Sequence, residues 1–120
     1  MLFLIIGKNM KTNHYTQAVV KENPHKVDAR ELYSMPNAQV MHLTLLPGDA
    51  LKPHKTPVDV FFYILEGSPT VHIGDESLVL PKDTIIDSPK DVMHYLSNET
   101  SELARILVVK TPNPQVNRTL

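Results

Sequence analysis

The chain has 120 residues, with 12 Lys and Arg against 13 Asp and Glu, six His and no Cys, and a formal net charge of -1. At a usual domain size of ~100–150 residues this is one domain with one core, and the near-zero charge leaves no electrostatic excess to hold nucleic acid or an anionic membrane. Without cysteine there is no disulfide framework, thiolate metal site or cysteine nucleophile, so any metal must use His, Asp or Glu.

In chain order, the apolar run Leu2–Ile6 falls short of the ~20 residues that span a bilayer and of the ~7–15 of a signal-peptide core, so a cytoplasmic protein is expected. A second methionine, Met10, leaves two readings of residues 1–9: a mis-assigned leader, or an apolar edge strand packed on the barrel or on a partner chain. Ten prolines from Pro24 to Pro114 break nearly every window that would hold a helix, and only Val27–Tyr33 is predicted helical. Short alternating stretches predict strands at Val40–Leu46, Val58–Glu66, Thr70–Ile73, Ser77–Leu80, Thr84–Asp87, Met93–Ser97 and Leu103–Lys110. Between them lie Pro47-Gly48-Asp49, Glu66-Gly67-Ser68-Pro69, Gly74-Asp75, Pro81-Lys82-Asp83 and Ser88-Pro89-Lys90-Asp91, residues that preset or tolerate turn dihedrals. The expected layout is an N-terminal segment (1–38) with early strands and a short helical turn, an all-β barrel or sandwich (39–111), and a frayed polar tail (112–120).

Two histidines stand in informative contexts. From Gly48 to Gly67 the chain reads Gly48, five residues, His54-Lys55-Thr56, three residues, Val60, six residues, Gly67, which resembles the first motif of the cupin superfamily. From Asp83 to Asn98, with Pro89, His94 and Asn98 in register, it resembles the second cupin motif, although Asp83 and Asp91 replace both of that motif's glycines. The resemblance implies a double-stranded β-helix of the jelly-roll kind, closing on a pocket into which the motif histidines point. Strand alternation agrees with a central strand, because Val60, Phe62 and Ile64 face one way and Phe61, Tyr63 and Leu65 the other, so both faces need cover.

The family pattern also implies a metal held by three histidines and a glutamate, and here Thr56 takes the second histidine position and Val60 the glutamate position. His54 and His94 remain as metal ligands, expected to hold a divalent ion (Zn, Ni, Fe or Mn) weakly. Asp59 would join them only if a bulge reversed its direction. His54, Thr56, Val60, Phe62 and His94 are the expected ligand-binding residues. His42 and His72 alternate with apolar residues of their strands and are expected on an outward face, and His14 and His25 in the polar N-terminal stretch are expected in solvent. Three functions fit: a barrel that binds a small molecule, with or without a metal; a metal-dependent enzyme of the dioxygenase or isomerase type; and a non-catalytic module with a closed pocket. The apolar Leu2–Ile6 and two-faced Val60–Leu65 segments predict a homodimer.

Overall fold

The short alternating stretches fold as strands, in a computed structural model that describes residues 4–6 and 9–117. In order they are β1 (Leu4–Ile6), β2 (Met10–Thr12), a 3-10 turn (Tyr15–Gln17), β3 (Asp28–Met35), β4 (Ala38–Leu45), β5 (Asp59–Glu66), β6 (Thr70–Ile73), β7 (Glu76–Val79), β8 (Ile85–Ser88), β9 (His94–Ser97), β10 (Ala104–Thr111) and α1 (Pro114–Asn117). One antiparallel sheet has the order β3-β4-β10-β5-β8 and the other β7-β6-β9, while β1 and β2 form a hairpin of their own. Single bridges Ala50↔Ser97 and His54↔His94 carry residues 50–54 along the open edge of β9. These two facing sheets are the expected jelly roll.

Val27–Tyr33 is not a helix: it enters β3, which pairs with β4 from Asp28↔Thr44 to Met35↔Ala38. Ala, Arg, Glu and Leu favour a helix locally, but Val27 and Ala29 bury against the core, and the pairing with β4 outweighs propensity. A register shift between Glu31 and Tyr33 lets the strand bend as it leaves the barrel.

The inward faces meet in a core where Leu45, Ile64, Leu96 and Ile106 are fully excluded from solvent and Phe62 nearly so. Each such side chain contributes about 1.5–3 kcal/mol relative to exposure. The outer face of β4 and β10 is covered by the chain's own N-terminal arm. Tyr15 stacks on His42 with ring centroids 4.3 Å apart, and the Arg105 guanidinium lies 4.7 Å from the centre of the Tyr15 ring. Arg30 fixes that arm, gripping Asp28 with two hydrogen bonds (2.9 and 3.1 Å) and donating to the Tyr15 carbonyl at 2.9 Å. His42 therefore points outward from the barrel as expected, yet it is buried, because the arm lies over it.

At the other end, the start of the segment expected as a frayed tail packs on the barrel, and residues 118–120 lie outside the described residues. Asn113 is buried and its Nδ2 donates to Ser34 Oγ at 2.8 Å, and α1 follows it directly.

Candidate functional site

A cavity of about 310 Å³ lies between the two sheets. Its apolar wall comes from Ala29, Met41, Leu43, Phe62 and Val108, inward residues of β3, β4, β5 and β10, with Val27 and Leu51. Its polar lining is His25, His54, His94, Lys110, Asn23 and Gln115, with no Asp or Glu among the described residues that line it.

His94 sits deep, where β9 meets the 50–54 segment. His54 N donates to His94 O at 3.1 Å and His94 N to His54 O at 2.9 Å, so the two rings are held together, T-shaped, with centroids 4.7 Å apart. Both His94 nitrogens are occupied: Ser88 Oγ lies 2.6 Å from Nδ1 and Thr56 Oγ1 lies 3.1 Å from Nε2. Burial first, then the charges of His54 and Lys110, push its pKa down to about 4. His94 is thus a neutral ring spanning two hydroxyls.

His54 and His25 face each other with ring centroids 5.1 Å apart. One residue orients both. The Lys52 amide donates to His25 Nδ1 at 2.8 Å, and His54 Nδ1 donates to the Lys52 carbonyl at 2.9 Å. An acceptor nitrogen carries no proton and a donor must carry one, so the neutral rings are opposite tautomers. His25 presents Nε2–H and His54 presents a bare Nε2. Pro53 biases Lys52 to an extended backbone, in which the N–H and C=O of one residue lie on the same edge of the chain. Asn23 places His25 by folding the loop around its own side chain: Oδ1 accepts from the His25 amide at 3.1 Å and Nδ2 donates to the Val27 carbonyl at 2.9 Å. Burial first, then His54, Lys52 and Lys110, lowers the pKa of His25.

Lys110 follows Ala104, Ile106 and Val108 on the inward face of β10, and is held between Gln39 of β4 and Val60 of β5. It forms no ion pair among the described residues. Glu31, the acid that acts on it, is already bonded to Gln39 Nε2 (2.7 Å) and paired with Lys21 (3.5 Å). Burial lowers the Lys110 pKa despite that carboxylate.

Of the sequence-predicted residues, His54, Phe62 and His94 line this cavity, Thr56 supports it through His94, and Val60 is buried core bordering a different hollow beside Asp59. The Asp59 carboxylate accepts from the Lys90 amide at 3.0 Å. His25 is half-buried in the cavity wall rather than in open solvent, because the Asn23 loop crosses over the barrel. No sequence signal marks that crossing, whereas continuing the alternation of the predicted Leu103–Lys110 strand would have turned Lys110 inward. His72 lies on the outer face, stacked on Tyr95 (centroids 3.9 Å) and bonded to Ser77 and Ser97.

The donor set does not fit the expected metal. Catalytic zinc takes three protein ligands and non-haem iron two histidines and a carboxylate. Here the three imidazoles leave one unengaged lone pair, on His54 Nε2. Among the described residues no group of three or more His, Asp or Glu is arranged to hold a metal ion.

Comparison with known proteins gives the same fold. The family model described as "Cupin domain" matches residues 41–110, more than half of the chain. No curated protein matches. Among solved structures, a Thermus thermophilus protein is similar at 28% identity and a TM-score of 0.75, covering 88% of this chain and 100% of that one. An RmlC-like cupin family protein with a double-stranded β-helix fold from Methanocaldococcus jannaschii is 22% identical, with a TM-score of 0.74 and coverage of 91% and 96%. A predicted oxalate decarboxylase from Thermotoga maritima is 16% identical, with a TM-score of 0.76 and coverage of 83% and 97%.

Proposed function

The chain belongs to the cupin domain family, and from that premise we propose that it binds an anionic small molecule with an apolar body, without a metal, in the cavity around His54 and His94. The observation that carries this reading is Lys110, a cation lining an apolar-walled cavity that no acidic side chain among the described residues lines. A half-buried ammonium whose acidic neighbour, Glu31, is already engaged by Gln39 and Lys21 is costly, and a ligand carboxylate offsets that cost. The cavity volume of about 310 Å³ is at the small end of ligand sites, which run from about 300 to 1,000 Å³. Apolar walls take the body of the ligand and Lys110 its charge. The metal-dependent enzyme reading draws on the similar Thermotoga protein, described as a predicted oxalate decarboxylase, and finds no group of three metal-binding side chains among the described residues.

The test is thermal unfolding with hexanoate or hexylamine added, since a ligand that binds only the folded protein raises the midpoint. Hexanoate raises the midpoint by several degrees and hexylamine does not. The Lys110→Met variant, with its own midpoint as reference, loses the hexanoate response. Equal responses to acid and amine, or an unchanged response in Lys110→Met, refute the reading.

We also propose that the working unit is a homodimer. Leu78 and Val79 of β7 and Ile85 of β8, on the outermost strands of the two sheets, are more than half exposed, and a second copy covers them.

A further inference from the structure

At about 30 Å³ per water-sized group, a cavity of about 310 Å³ holds roughly ten groups, the size of a six- to eight-carbon acid. Within it are three polar functions of different kind. Lys110 brings a cation, His25 an Nε2–H donor and His54 an Nε2 acceptor; no described residue hydrogen-bonds these atoms or ion-pairs with Lys110, on which Glu31 acts only through its charge. The two imidazoles are not interchangeable, because the Lys52 backbone holds them in opposite tautomers. A simple carboxylate has acceptors only, so it satisfies Lys110 and His25 and leaves the His54 acceptor facing the ligand without a donor. A site of this kind selects a ligand that carries one donor beside its carboxylate.

We infer that the cavity recognises 2-hydroxy carboxylic acids with a short apolar chain, the carboxylate accepting from Lys110 and His25 Nε2–H and the adjacent hydroxyl donating to His54 Nε2. The inference rests on the anionic-ligand reading and narrows it to a ligand class. The chain of the acid lies against Met41, Leu43 and Val108, which line the opposite, apolar wall with Phe62. His94 is left out of the contact because Ser88 and Thr56 occupy both of its nitrogens; it backs the His54 ring and fixes its tilt.

The test compares hexanoate, 2-oxohexanoate and each enantiomer of 2-hydroxyhexanoate by calorimetric titration of the full chain. One enantiomer of the hydroxy acid binds about tenfold more tightly than hexanoate, the effect of one added hydrogen bond in a shielded site. The oxo acid, which offers no donor at that position, does not. In His54→Phe, which keeps a ring and removes the nitrogen, and in His54→Ala, the hydroxy acid loses its tenfold advantage when each variant is measured against its own hexanoate affinity. Long-range ¹H–¹⁵N spectra of the free protein give His25 protonated on Nε2 and His54 on Nδ1. Hexanoate binding with no gain from the hydroxyl, or the same tautomer in both rings, overturns this inference and leaves the anionic-ligand reading standing. Failure of all four acids, or binding that Lys110→Met leaves unchanged, overturns both.

Discussion

His42 and His94 are both buried, and in each burial leads the causes that lower the pKa to about 4. A histidine depressed in the fold and ordinary at 6.5 in the unfolded chain makes the unfolded state bind more protons between those values. Stability is therefore full above about pH 6.5 and falls as the pH drops toward 4, by about 3 kcal/mol for each ring over the whole interval. Urea midpoints at pH 7 and pH 5 measure the slope. His42→Phe keeps the stack on Tyr15 and removes two ring nitrogens that find no partner among the described residues. It gains about 1 kcal/mol at pH 7 and halves the loss on acidification.

The metal question also belongs to single residues. Thr56→His with Val60→Glu restores the family pattern at both altered positions and frees His94 Nε2 from its hydroxyl partner. That double variant, measured against its own metal-free midpoint, gains several degrees with zinc or nickel, and the unaltered chain gains less than about one. An equal gain in both proteins means that a ligand outside this cavity is at work.

Among the elements, the turns separate what motif likeness carries from what it leaves open. Asp83 and Asp91 stand where the second motif has glycines, and both hold the left-handed backbone, at φ of 66° and 63°. The conformation persists although the residue that favours it is gone, since Asp tolerates this region better than most side chains. Gly67 is stricter. It has φ +78°, and a Cβ there would lie 2.5 Å from the Leu103 carbonyl oxygen and 2.9 Å from Ala104 Cα. Gly67→Ala loses about 3 kcal/mol or more, whereas Gly48→Ala, at φ +87° in open space, loses about 1–2, as chemical denaturation of the two variants will show.

Asn98, a third motif position, is wholly buried. Its Nδ2 donates to the Leu45 and Glu102 carbonyls (2.9 and 2.7 Å) and its Oδ1 accepts from the Thr100 amide and hydroxyl (3.1 and 2.7 Å). Its work is to tie the turn after β9 to the end of β4.

The seven strands from Val40 onward were legible because each has its own alternation and its own turn. The strand beginning at Asp28 was not, because its burial pattern is set by partners in β4 and by an arm that folds back over the sheet. The site divides in the same way. His54, Phe62 and His94 follow from motif spacing and alternation; His25 does not, since nothing local to Asn23–Val27 announces that it crosses the mouth of a barrel built later in the chain.

At the scale of the whole molecule, β7 and β8 end their sheets with apolar side chains outward, and paired copies would bury both edges. Light scattering at tens of micromolar gives twice the 13.5 kDa chain mass, and Leu78→Lys with Ile85→Lys returns it to one. A chain that is already single before substitution rejects the dimer.

The strand order has a consequence for how the molecule comes together during synthesis. Among the described strands β10 is the last to be made, yet it lies in the middle of the larger sheet, bonded to β4 on one side and β5 on the other. Until it arrives, those two strands present facing, unsatisfied edges separated by a slot two strand spacings wide, about 9–10 Å. The gap closes only once β10 has been made, and a free peptide with the β10 sequence has the shape to plug it. Since β10 also delivers Lys110, the cavity gains this cation only in the step that closes the sheet, so binding of the proposed anionic ligand would report that this step is complete.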